Sequence, residues 1–143
     1  IALHMARAAQ VPGGEKMVMH AYSHFHETMR PLPLYHLIPE LKAMGKSLYA
    51  LTNYGEPAFS CALSAFPNLS LLDGHLVSAR EKLVKPDPEI FRVLIRRYSL
   101  VPDQTLFIDD APANVASAAQ AGFQVWHYTG ADRLPEMKEE GQA

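Results

Sequence analysis

Among 143 residues there is one cysteine, Cys61, one tryptophan, Trp126, and no aspartate before Asp73. A lone cysteine excludes an internal disulfide and fits a reducing compartment, so a cytoplasmic location is expected. Charge of either sign is not in excess: 13 Lys and Arg against 15 Asp and Glu leave a net charge of -2. That balance gives no general attraction to nucleic acid or to an anionic membrane, and neither partner is expected. Long hydrophobic runs are missing as well. The longest uncharged stretch, 111–131, is interrupted by Pro112, Asn114, Gln120, Gly122, Gln124 and His127, which excludes it as a membrane span. No basic segment followed by an apolar run opens the sequence, so a secretory leader is not expected.

What is present is globular composition, 48% apolar and 20% charged, at a length that suits one folded unit. The opening residues Leu3, Met5, Ala6 and Ala9 follow a helical apolar pattern with no cap before them. Either the helix begins upstream of Ile1, or His4-Met5 is a cloning scar and Met5 the native start. Val11-Pro12-Gly13-Gly14 breaks this helix, and 15–29 reads as a second one, with Met17, Val18, Ala21, Tyr22 and Phe25 on its apolar face. Pro31 and Pro33 stop it, placing a boundary between a helical part, 1–33, and the remainder, 34–143.

From Leu34 the pattern alternates between helix and strand. Helices are expected over 35–44, 58–66, 87–98 and 112–121, and strands over 47–52, 75–78, 105–108 and 123–128. Asp87 has the character of an N-cap with Pro88 in the first turn, and Gly45 and Gly122 fit helix ends. This alternation predicts an α/β fold with a parallel sheet. In such sheets ligands bind beyond the carboxyl ends of the strands, where neighbouring loops meet.

Three of those ends carry reactive groups: Thr52 and Asn53, then Lys85 in the stiff segment Lys85-Pro86-Asp87-Pro88, then Asp109 and Asp110. Thr52-Asn53 can donate to phosphate-like oxygens, or can simply start the turn before Gly55-Glu56-Pro57. Lys85 is aimed by its prolines, or is a solvated charge as expected of Lys82. The adjacent carboxylates suit Mg²⁺, which takes one or two protein carboxylates and otherwise keeps water; the alternative is that Asp110 caps the helix begun by Ala111-Pro112. Adjacent anions repel unless a cation or donor compensates them, which the capping alternative leaves unexplained for Asp109.

Taken together, Leu48 to Asn53, Lys85 to Phe91, and Leu106 to Asp110 with Asn114-Val115 and Ala118 to Gly122 resemble motifs two, three and four of the haloacid dehalogenase-like (HAD) hydrolase superfamily. The order and spacing agree over about 34–128, and the preceding helices resemble part of a helical cap. The resemblance implies a Rossmann-like parallel sheet and hydrolysis of a small phosphate ester through an aspartyl-phosphate. It assigns Thr52 and Asn53 to the transferring phosphoryl group, Lys85 to charge compensation, and Asp109 and Asp110 to Mg²⁺. The acidic pair favours the Mg²⁺-dependent phosphatase branch over the metal-free dehalogenases. Asn114 stands where many relatives have a further acid.

The family's first motif, an Asp-x-Asp-like pair after the first strand, has no counterpart before Leu34. The nucleophile is therefore expected to be absent from this chain. That first strand lies mid-sheet in the family, so the two strands flanking it are expected to have unpaired edges, through which self-association is plausible. The resulting expectation is the C-terminal portion of a phosphohydrolase, inactive in isolation, or alternatively a non-catalytic relative with a binding or assembly role. Elsewhere, His20, His24, His26 and Glu27 form a weak zinc candidate whose simpler reading is a polar helix face. Cys61 is expected to pack as a small hydrophobe, Trp126 and Tyr128 to share one face of the last strand, and 133–143 to end in a frayed helix.

Overall fold

The computed structural model describes Pro12, Lys16, His24, residues 29–130 and Leu134. The two helices expected over 1–33, the candidate ligands His20, His26 and Glu27, and most of the tail lie outside the described residues.

A 3₁₀ turn, Pro33–Leu37, leads into helix α1, Ile38–Ala43, which ends before Gly45 at a φ of 77°. Strand β1, Tyr49–Thr52, is followed by α2, Glu56–Ala65, a 3₁₀ turn at Pro67–Leu71, and β2, Gly74–Val77. A short helix α3, Ser78–Glu81, precedes α4, Pro88–Tyr98. After a 3₁₀ turn at Pro102–Gln104 come β3, Leu106–Asp109, α5, Pro112–Gln120, and β4, Gln124–His127.

The sequence explains the best-defined helix residue by residue. Asp87 accepts the Glu89 N–H at 2.8 Å as N-cap, Pro88 occupies the first turn, and Arg96 and Arg97 lie near the carboxyl end of the helix dipole. Its inward face is Ile90, Phe91 and Leu94, at the spacing of one helical stripe. Helix α5 ends through Gly122, φ 95°, with Phe123 N–H bonding back to the Ala118 carbonyl at 3.2 Å, a Schellman closure that turns the chain directly into β4.

The strands pair in parallel as expected, but as two separate ribbons. β1 pairs with β2 in the register Leu51 to Leu76, and β3 pairs with β4 in the register Ile108 to Trp126. Among the described residues no backbone ladder joins β1 to β3. What spans the ribbons is side-chain packing. Phe91 of α4 meets Phe107 edge-on at 5.3 Å between ring centres and lies with Leu76, Leu94, Ala118 and Phe123 in one buried cluster. Trp126 is half-buried and meets the buried Tyr128 edge-on at 5.6 Å, and Cys61 is half-buried in α2. No described helix is long and apolar enough to cross a membrane.

Gly74 opens β2 directly beneath the Tyr98 ring, which in turn stacks on Tyr49 with centres 4.6 Å apart. A methyl group there would collide with the Tyr98 ring. Gly74→Ala should therefore cost about 1–3 kcal/mol of stability by overpacking, read as a lowered urea midpoint. An unchanged midpoint would show that Tyr98 yields freely.

Candidate functional site

The carboxyl ends of β1 and β3 are drawn together by a lysine that sequence alone places after β2. Lys85 does not follow β2 directly: α3 and a left-handed turn at Lys82, φ 56°, intervene and carry the chain back over the strand ends. Lys82 itself is exposed, as expected.

Asn53 fixes where this loop returns. Its Oδ1 accepts the Lys85 N–H at 2.8 Å and the Ser78 hydroxyl at 2.9 Å, and its Nδ2 donates to the Lys85 carbonyl at 3.0 Å. Both acceptor positions of the amide oxygen are thereby used, and one N–H is left to offer a ligand. The sequence expectation for Asn53 was substrate contact; the structure gives it first the task of orienting Lys85. Thr52 performs the turn role considered for it, accepting the Tyr54 N–H at 3.2 Å, which leaves its own O–H free to donate.

Lys85 Nζ donates to Asp109 Oδ2 at 2.6 Å, with side-chain exposures of 11% and 6%. Asp109 Oδ1 accepts the Ala111 N–H at 2.9 Å and the Asn114 amide at 3.0 Å. Burial pushes the Asp109 carboxyl upward, but the Lys85 ammonium, the Ala111 N–H and the Asn114 amide together outweigh it and hold the group below its ordinary value. Asn114, standing where the resemblance notes a further acid in many relatives, thus supplies a donor to this carboxylate.

Asp110 behaves differently. It is exposed, its carboxylate makes no hydrogen bond among the described residues, and its backbone carbonyl meets His127 Nε2 at 3.0 Å. The capping alternative does not hold, since the N-cap of α5 is Ala111 and no side chain caps it. The structure therefore brings together Asn53, Lys85 and Asp109 through direct contacts, with Thr52 and Asp110 as their chain neighbours at the ends of β1 and β3. Ser78 was overlooked because a serine at the end of a short strand carries no signal of its partner. The described residues contain no cluster of three His, Cys, Asp or Glu side chains able to hold a metal.

Comparison with known proteins follows this geometry. The sequence model of the haloacid dehalogenase-like hydrolases matches residues 26–122. A sesquiterpene phosphatase of Aspergillus oryzae is 32% identical over 93 residues, 65% of this chain and 47% of that protein. Among solved structures, a dehalogenase superposes with a TM-score of 0.67 at 24% identity, covering 80% of this chain and 49% of its own. A magnesium complex of a Bacteroides thetaiotaomicron HAD-family enzyme gives 0.65 at 24% identity, covering 90% and 63%. The chain thus spans less than two thirds of each of these relatives, and the structural likenesses speak to the fold alone.

The lowered Asp109 value has a definite sign in stability. An unfolded aspartate titrates near 3.9, so below that pH the unfolded chain binds more protons than the folded one. The contribution of Asp109 is complete above about pH 4 and is lost as pH falls through its depressed value. Urea unfolding of the wild type and Asp109→Asn between pH 3 and 7 should give curves that converge as pH drops below about 4. Parallel curves would contradict the assigned direction.

Proposed function

Because the chain belongs to the haloacid dehalogenase-like hydrolases, we propose that it is the part of a Mg²⁺-dependent phosphohydrolase that grips the metal and the phosphoryl oxygens of a small phosphate ester. The observation that carries this reading is the buried Lys85–Asp109 pair at 2.6 Å, set between the ends of two strands with hydrogen-bond donors beside it. The phosphatase among its relatives, and the acidic pair, favour a phosphate ester over a haloacid.

The donor set fits the metal. Magnesium takes oxygen ligands and needs only one or two protein carboxylates, the rest being water or substrate. Asp109 has about four acceptor positions, of which Lys85, Ala111 and Asn114 use three, leaving one. Asp110 is free to supply another oxygen directly or through water. When bound, the ion would neutralise charge on the phosphoryl oxygens, the main requirement of phosphoryl transfer.

The chain's own residues do the remaining positioning. One of the three Lys85 N–H groups is spent on Asp109, so two are available to an anion. The free hydroxyl of Thr52 and the remaining N–H of Asn53 add neutral donors at the same strand ends. No aspartate precedes β1 in this sequence, so attack on phosphorus needs a carboxylate from elsewhere. That lack also supports the second reading, a non-catalytic protein that binds through the same strand ends.

Calorimetry with MgCl₂ should show saturable binding to the 143-residue chain, weakened about tenfold or more by Asp110→Asn, on the scale of losing one site group. Hydrolysis of a generic aryl phosphate with Mg²⁺ should remain at the uncatalysed rate. Absence of Mg²⁺ binding would overturn the metal assignment, and clear turnover would overturn the missing nucleophile.

A further inference from the structure

We propose that His127 is a positioning residue for the metal: its ring holds the peptide unit that follows Asp110, and so sets the direction in which the Asp110 carboxylate leaves the chain. The inference rests on the proposed Mg²⁺ site and adds to it a residue that acts through the backbone of Asp110 rather than as a ligand.

Asp110 needs such a device. Its side chain is exposed and its carboxylate makes no hydrogen bond among the described residues, so no polar partner there aims it directly. A side chain in that situation is aimed by the backbone beneath it, because its Cα–Cβ direction is set once the peptide planes on either side are fixed.

Both planes are held. In the one before Asp110, the Asp109 carbonyl accepts the Tyr128 N–H at 2.9 Å, continuing the ladder between β3 and β4. In the one after it, the Ala111 N–H donates to Asp109 Oδ1 at 2.9 Å and the Asp110 carbonyl meets His127 Nε2 at 3.0 Å. The N–H and C=O of one trans peptide point in opposite directions, so these two bonds clamp the plane from both sides. Among the described residues the carbonyl side of that clamp is His127 alone.

The strand register supplies the reach. His127 is the partner of Asp109 across the ladder, which puts its ring beside the residue that follows Asp109, and alternation along β4 leaves it exposed while Tyr128 is buried. A carbonyl oxygen only accepts, so the bond places a hydrogen on Nε2. Because the contact is exposed, its effect on overall stability is small and its consequence is local.

The test uses the 143-residue chain with His127→Ala and with His127→Gln, whose side-chain amide can donate to the same carbonyl. Titration with MgCl₂, followed by amide NMR shifts, should show affinity about fivefold lower in His127→Ala, the size of one net hydrogen bond. His127→Gln should stay within about twofold of the wild type, and all melting temperatures within about 2 °C. In an Asp110→Asn background, His127→Ala should change the affinity by less than about twofold, since the carboxylate it positions is gone. Without metal, hydrogen exchange of the Ala111 amide should be about fivefold faster in His127→Ala than in the wild type. Unchanged affinity in His127→Ala, no recovery in His127→Gln, an equal loss in the Asp110→Asn background, or unchanged Ala111 exchange would each overturn this inference alone. So would a loss of affinity accompanied by a fall of about 5 °C or more in melting temperature, which marks a merely structural role. No Mg²⁺ binding by the wild type would instead overturn the reading on which the inference rests, and the metal role of His127 with it.

Discussion

The buried contact between Lys85 and Asp109 is the constraint on which both the fold and the site depend. Among the described residues no backbone ladder joins the two ribbons, and what connects them there is side chains: the aromatic packing of Phe91 on Phe107 at one level and this ion pair at the strand ends. A buried pair gains little over a well-packed apolar substitute, but removing one partner leaves an uncompensated charge and costs about 3–5 kcal/mol. The pair therefore acts chiefly as a geometric tie. It holds a cation and an anion where the loops after β1 and β3 meet, and the neighbouring donors keep the carboxylate ionised.

The surrounding groups divide the work. Asn53 and Ser78 hold the Lys85 backbone, Ala111 and Asn114 hold the second oxygen of Asp109, and Thr52 stays half-buried with its hydroxyl free to donate. Asp110, exposed and with no carboxylate hydrogen bond among the described residues, is the outward member of the acidic pair. The Lys85 ammonium and the Asp109 carboxylate are thus pre-organised by the donors and acceptors around them.

Much of this was legible because local chemistry decided it. Asp87-Pro88 fixes the start of α4 through a cap and a preset φ, and the alternation of helix and strand gave all four strands to within about three residues, the scatter common at element ends. The convergence of Asn53, Lys85 and Asp109 followed from the rule that loops meet at the carboxyl ends of parallel strands. The rest depended on long-range partners. Whether Asn53 faces a ligand or the Lys85 peptide cannot be read from Thr52-Asn53, since the decisive contact lies 32 residues away. Helix α3 is a single turn with little intrinsic signal. That Asn114, where many relatives have a further acid, donates to Asp109 was not legible either, because the turn into α5 is what brings the two together.

A double-mutant cycle on Lys85 and Asp109, using Lys85→Met, Asp109→Asn and the double variant with stability measured by urea unfolding at pH 7, tests the central claim most directly. A direct, charge-assisted contact predicts a coupling energy of about 1.5–3 kcal/mol, with the double variant far less destabilised than the sum of the singles. Additivity within about 0.5 kcal/mol would mean that the two groups do not meet, and would remove the basis for a shared site.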